Sequence, residues 1–157
     1  TGVSTSVICG TNGTAYSYSQ LVKMTQDSSA ANARLDSSRF LTSSAGFGKA
    51  RRTEISSGTA MFAGSFEGGQ STIAGFDAVI SNNVPSSDTK GSGTNLTHFY
   101  FGDFSYMVLG LFGATEIQID PYTQASKNLV RINATVMFDI AYTQPAAFSR
   151  LLDAITS

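Results

Sequence analysis

His98 is the only histidine and Cys9 the only cysteine among 157 residues. Chemistry built on an imidazole or a thiolate must therefore pass through one of them. Cys9 follows Ile8 in a short apolar stretch, which suits a small buried side chain rather than a nucleophile. His98 opens an aromatic stretch, and no G-x-S-x-G elbow is present to partner it, so it reads as a structural histidine. One Cys and one His are too few for a zinc site. Among the carboxylates, Asp103 and Glu116 are the pair that could face one another across a hairpin, as the acid pair of a glycosidase does. Gly46-Phe47-Gly48-Lys49 lacks the spacing of a phosphate-binding loop and the Ser or Thr after the lysine. Lys49, Arg51 and Arg52 form a small basic patch of the kind found at solvated helix ends. Asn12-Gly13-Thr14, Asn95-Leu96-Thr97 and Asn133-Ala134-Thr135 match glycosylation sequons, as an Asn- and Thr-rich chain does by chance. The expectation is no catalytic residue, no bound metal and no cofactor.

Composition bounds the remaining possibilities. Apolar residues make up 41% of the chain and charged residues only 13%, about half the usual share. Gly, Ser and Thr fill the gap, giving a weakly charged, turn-rich surface suited to lie against other subunits. The net charge of −1 supplies no basic field for direct nucleic-acid binding. A lone cysteine excludes an internal disulfide framework. No apolar run approaches the ~18 residues of a membrane span. The chain begins at Thr1 without Met and shows no signal peptide, so it reads as excised from something longer.

These residues need elements to position them, and the most informative is Val130 to Thr143. Its even positions are Val130, Ile132, Ala134, Val136, Phe138, Ile140 and Tyr142, while most odd positions are polar. Such alternation predicts one strand, roughly 40 Å long, with one buried face. Upstream, Thr5 to Cys9 is a short strand. Ser17 and Gln20 form a capping box for a helix from Tyr18 to Ala33. Arg39 to Leu41 is a strand, and Ser44 caps a second helix over Ala45 to Arg52. The stretch from Ile55 to Thr72 reads as irregular. Phe76 to Ile80 is a strand, followed by an exposed loop over residues 86 to 95. His98 to Phe104 is a strand with Tyr100 and Phe104 on one face. Met107 to Phe112 is a buried run, and Glu116 to Asp120 is a strand with Ile117 and Ile119 inward. After Gln144-Pro145, the spacing of Phe148, Leu151, Leu152 and Ile155 predicts an amphipathic C-terminal helix. The class is α+β, with a mixed, mostly antiparallel sheet, flanking helices and one long strand hairpin.

The order of several segments carries a resemblance. Gly75-Phe76-Asp77-Ala78-Val79-Ile80-Ser81-Asn82-Asn83-Val84-Pro85 is followed by a loop and then by Phe99-Tyr100-Phe101-Gly102-Asp103-Phe104. Glu116-Ile117-Gln118-Ile119-Asp120-Pro121-Tyr122, the long strand, and Gln144-Pro145-Ala146-Ala147-Phe148 come next. In this order the segments resemble the C-terminal half of tailed-phage major capsid proteins of the Hong Kong ninety-seven type. The resemblance covers roughly residues 10 to 150. It implies an axial domain over residues 1–115, a peripheral-domain hairpin over 116–142, and a helix over 143–157 returning to the axial side. The turn Pro121 to Asn128 would be the peripheral tip, with Tyr122, Lys127 and Asn128 as inter-subunit contacts. The family's N-terminal arm, extended loop and spine helix precede this region and are absent from it. Some members cross-link a lysine of that loop to an asparagine of the peripheral domain, and Asn128 lies near the corresponding place.

The leading expectation is thus a major capsid subunit of a tailed phage or prophage, not an enzyme. It would be made in the bacterial cytoplasm and assemble with itself into pentamers and hexamers. The shell would enclose DNA without a membrane partner. Alternatives are a β-rich tail or adhesin binding module, and a hydrolase using Asp103 and Glu116.

Overall fold

The computed structural model describes residues 5–58 and 61–156. In chain order it forms β1 (Thr5–Val7), α1 (Tyr18–Ala30), β2 (Arg39–Thr42), α2 (Ser44–Ala50), β3 (Gly64–Glu67), β4 (Gln70–Ile73), β5 (Phe76–Ile80), β6 (Asp88–Lys90), β7 (Gly93–Gly102), β8 (Met107–Leu111), β9 (Glu116–Asp120), β10 (Arg131–Thr135), β11 (Phe138–Tyr142) and β12 (Ser149–Ile155). The class is α+β, as the sequence predicts. The chain divides into two units, one of Thr1–Phe104 with Gln144–Ser157 and one of Ser105–Thr143.

The first unit is built on an eight-stranded sheet in the order β1-β12-β7-β2-β5-β4-β3, with β6 also on β7. Its pairings are antiparallel except β1 with β12 and β2 with β5. Register fixes which side chains share a face, because neighbours alternate. One row crosses the sheet as Val7, Leu151, Phe99, Thr42 and Ile80, and a second as Thr5, Ser149, Phe101, Phe40 and Ala78. Leu21 and Met24 of α1 and Phe47 and Ala50 of α2 join Phe40, Phe99 and Phe101 in the core. The rings of Phe40 and Phe101 lie 4.6 Å apart, and Phe76 meets Phe101 edge-on at 5.1 Å. Between these rows runs Ser6, Arg150, Tyr100, Leu41 and Val79, on the opposite face. The buried aromatics of β7 are therefore Phe99 and Phe101, and Tyr100 faces away from them.

Local signals place the helices. The Ser17 backbone N–H donates to Gln20 Oε1 at 2.7 Å, the predicted half of a capping box. The helix it starts ends at Ala30, three residues before the predicted Ala33. For α2 the cap is Ser43, not Ser44: its Oγ accepts from the Gly46 N–H at 3.1 Å. Gly46 lets α2 approach the sheet, since a Cβ there would overlap Thr42 Oγ1 and crowd the Phe99 ring.

Two further expectations are overturned in this unit. The stretch from Ile55 to Thr72 contains the hairpin β3–β4, with Glu67 opposite Gln70 across Gly68-Gly69; residues 59–60 lie outside the described ones. The predicted C-terminal helix is a strand. Pro145–Ala147 does form one 3-10 turn, but Phe148 is extended and Ser149–Ile155 pairs with both β1 and β7. Spacing in a short apolar run is ambiguous between helix and strand. Here the slot between β1 and β7 offers backbone partners on both sides, and they decide the outcome.

The second unit consists of two antiparallel ribbons. β8 pairs with β11 from Leu111 opposite Phe138 to Met107 opposite Tyr142. β9 pairs with β10 from Glu116 opposite Thr135 to Asp120 opposite Arg131. The long strand predicted from Val130 to Thr143 is thus two five-residue strands interrupted at Val136 and Met137. Four residues, 112–115, stand against those two. The Phe112 N–H still reaches the Met137 carbonyl at 3.0 Å.

Candidate interaction surfaces

Apolar residues in the ribbons recur at odd positions of the first strand and even positions of the second. Leu109, Leu111, Phe138 and Ile140 share one face of β8–β11, and Ile117, Ile119, Ile132 and Ala134 share one face of β9–β10. The opposite face of β9–β10 carries Glu116, Gln118, Asp120, Arg131, Asn133 and Thr135. The alternation is therefore real, but the inward face is not buried within this chain. Ile132 is 66% exposed and Phe138 62%. Met107–Leu111 is likewise exposed over most of its length rather than a buried run. Exposed apolar patches of this extent mark interaction sites.

The tip joining β9 to β10 is shaped by Asp120. Its Oδ1 accepts from the Tyr122 and Thr123 backbone N–H groups at 2.9 and 3.1 Å, and its Oδ2 from Thr123 Oγ1. The Thr123 hydroxyl, then the two amides, hold its carboxyl below the usual range. This turn presents Tyr122, 86% exposed. Lys127 closes a 3-10 turn over Ala125–Lys127, and Asn128 follows it at φ 55°, a left-handed conformation that asparagine tolerates. All three residues named from the sequence thus belong to one short exposed connection.

The groups considered for catalysis are dispersed. Asp103 is buried in the first unit and accepts from Ser37 Oγ at 2.5 Å. Glu116 is exposed on β9 opposite Thr135. β7 and β9 are not hairpin partners, so the hairpin expected to set these carboxylates face to face is not formed, and one is buried while the other is exposed. Burial, then the charge of Asp153, pushes the Cys9 thiol up to about 12, which disfavours the thiolate a nucleophile needs. His98 Nε2 lies 2.9 Å from Asp88 Oδ2, and Nδ1 lies 3.2 Å from Tyr100 Oη. Burial lowers its pKa although Asp88 opposes the shift. Arg52 at the end of α2 donates to the Gly48 and Thr156 carbonyls at 3.3 and 3.4 Å. Among the described residues, no group of three or more His, Cys, Asp or Glu side chains is placed to hold a metal ion. None of the helices there is long and apolar enough to cross a membrane.

One cluster has no local sequence signal. Asp153 of β12 is buried and accepts from Lys90 Nζ at 2.7 Å and from the Cys9 and Gly10 amides at 3.1 and 3.5 Å. Lys90 also donates to the Gly10 carbonyl at 3.0 Å. Burial works against the charge, but these donors outweigh it and hold the carboxyl below its usual value. The partners are 63 and 144 residues away, beyond what any sequence motif spans. Met61, Phe62 and Phe66, the apolar residues that read as anchors of an irregular stretch, stand exposed around β3, and the Gly68-Gly69 pair between two strand-like runs signals their hairpin.

Comparison with known proteins follows the same lines. The model of the phage capsid family matches residues 1–152. The capsid of an empty GTA particle computed with C5 symmetry superposes with a TM-score of 0.66 at 20% identity, covering 95% of this chain and 49% of that one. The capsid of the native GTA particle gives 0.63 at 19%, with the same coverage. A chain from Mycobacterium phage Ogopogo gives 0.52 at 19%, covering 96% of this chain and 54% of that one. The chain therefore spans about half the length of these structural neighbours. No curated protein sequence matches it significantly.

Proposed function

The chain belongs to the phage capsid family, and from that membership we propose that it forms part of the shell-building subunit of a phage or phage-like particle. The observation that carries the reading is the family match over nearly the whole chain, joined to an apolar ribbon face left open in the second unit. A protein that works by interfaces needs such faces, whereas a free enzyme must keep them covered.

On this reading residues 1–115 form the axial part of a capsomer and residues 116–142 the peripheral part. The C-terminal segment, as β12, returns to the axial sheet. Tyr122, Lys127 and Asn128 at the ribbon tip contact a neighbouring subunit. The subunits form pentamers and hexamers around packaged DNA, and the protein is made in a bacterial cytoplasm before it enters the virion. Electron microscopy of the full-length protein tests this: capsomers or closed shells are expected. A full-length protein that stays monomeric under all assembly conditions would overturn the reading.

The alternative of a β-rich tail or adhesin binding module loses its support. Both helices pack on one face of the main sheet through Leu21, Met24, Phe47 and Ala50. The strands of residues 131–142 pair in two-stranded ribbons of their own.

A further inference from the structure

The two ends of the eight-stranded sheet in the first unit differ in shape. At one end, the β3–β4 hairpin projects: Phe66 is 53% exposed, Met61 and Phe62 are exposed beside it, and a Cβ on Gly68 or Gly69 would meet nothing within 4 Å. At the other end, a cleft of about 220 Å³ lies between β1, β12 and Lys90. It is lined by Ser6, Val7, Ile8, Leu152, Lys90 and Asp153 and is mostly apolar. A cavity of about 150 Å³ takes up benzene, so this cleft has room for a phenyl ring.

We propose that Phe66 of one copy seats in the Ile8–Leu152 cleft of the next copy, so that subunits join head to tail. This rests on the capsid reading and names the partner of its axial sheet. Knob and hole stand at opposite ends of one sheet, so a single contact leaves one of each free for a further copy. Repeated with a rotation that divides a full turn and no rise, such a heterologous contact closes into a ring. Charge agrees with shape. Glu67, exposed beside Phe66, brings a carboxylate to the tip. Lys90 at the cleft rim uses two donors on Gly10 and Asp153, and a third remains for a partner carboxylate.

The test is disulfide trapping in the full-length protein, with Phe66→Cys and Ile8→Cys combined in a Cys9→Ala background. Mild oxidation is expected to give a ladder of covalent species rising one chain at a time, while either single variant gives none. Glu67→Cys with Ser6→Cys, both at exposed polar positions, is a second pair that spares the apolar contact. Phe66→Ser is expected to raise the concentration needed for assembly about tenfold or more, because a buried aromatic is lost at every contact. Shells that form from both double variants without cross-links would overturn the pairing and leave the capsid reading standing. Covalent dimers alone, without higher rungs, would also overturn it, since they indicate a reciprocal contact. A wild-type protein that forms no capsomers overturns the capsid reading, and this pairing with it.

Discussion

Asp153 shows what one side chain does when the fold closes around it. Its carboxylate ties Cys9, Gly10 and Lys90 to β12, so it fastens the segment after β1 and the β6–β7 hairpin to the same strand. Asp153→Asn keeps the shape but removes the charge, and is expected to cost about 1–3 kcal/mol of stability in a urea titration. The folded carboxyl titrates below its ordinary 3.8. Its contribution is therefore complete above that value and is lost as the pH falls through the lower folded value. His98 acts in the same direction at a higher pH. Burial holds its pKa below 6.5, so the folded protein binds a proton less readily than the unfolded chain. That contribution is full above pH 6.5 and declines as the pH falls below it. His98→Gln should flatten the decline, measured as urea midpoints across that range. At this scale the sequence was informative about what is missing, because one Cys and one His limit the chemistry directly. It said nothing of the Asp153 cluster, whose members are distant in the chain.

At the scale of elements, turn chemistry was locally readable and strand partners were not. Ser17 with Gln20 marked the start of α1, and Phe76–Ile80 stands where alternation placed it. The connection from β4 to β5 is a two-residue turn, Ala74-Gly75, with φ of 49° and 84°. Such turns need positive φ at both positions, which alanine adopts only with strain. Ala74→Gly should relieve it and raise the melting temperature by about 2 °C, a gain near 0.5–1 kcal/mol, measurable by calorimetry. Phe99→Ala removes a ring from the contact between α2, Tyr16 and the sheet, where Tyr16 meets Phe99 edge-on at 4.9 Å. A loss of about 3–5 kcal/mol is expected on chemical denaturation. Tyr100→Ala, on the opposite face, should cost clearly less. The comparison checks which face of β7 is buried, a choice that alternation alone leaves open, since FYF reads as alternating in either register.

For the whole molecule, the open ribbon face is the feature with the largest consequence. Ile132→Ser with Phe138→Ser should leave the first unit's stability unchanged, because both residues lie in the second unit. The same changes should reduce binding of a hydrophobic dye by the isolated chain. In the full-length protein they should raise the critical concentration for assembly by about tenfold or more per residue, as read by light scattering. Equal assembly of variant and wild type would show that this face is not an interface.

The sequence by itself determined the period-two pattern from Val130 to Thr143, the class of the fold and the family order of the segments. These follow from local spacing and from composition, which do not depend on where the chain goes next. Only the tertiary structure decided that the pattern breaks at Val136 and Met137, that its apolar face stays open, and that the last seven-residue element is a strand. The physical reason is the same in each case. An alternating strand states which side chains want cover, and an apolar run states that it wants burial. What covers them, and which backbone groups they pair with, is supplied by residues far away in the chain or by another molecule.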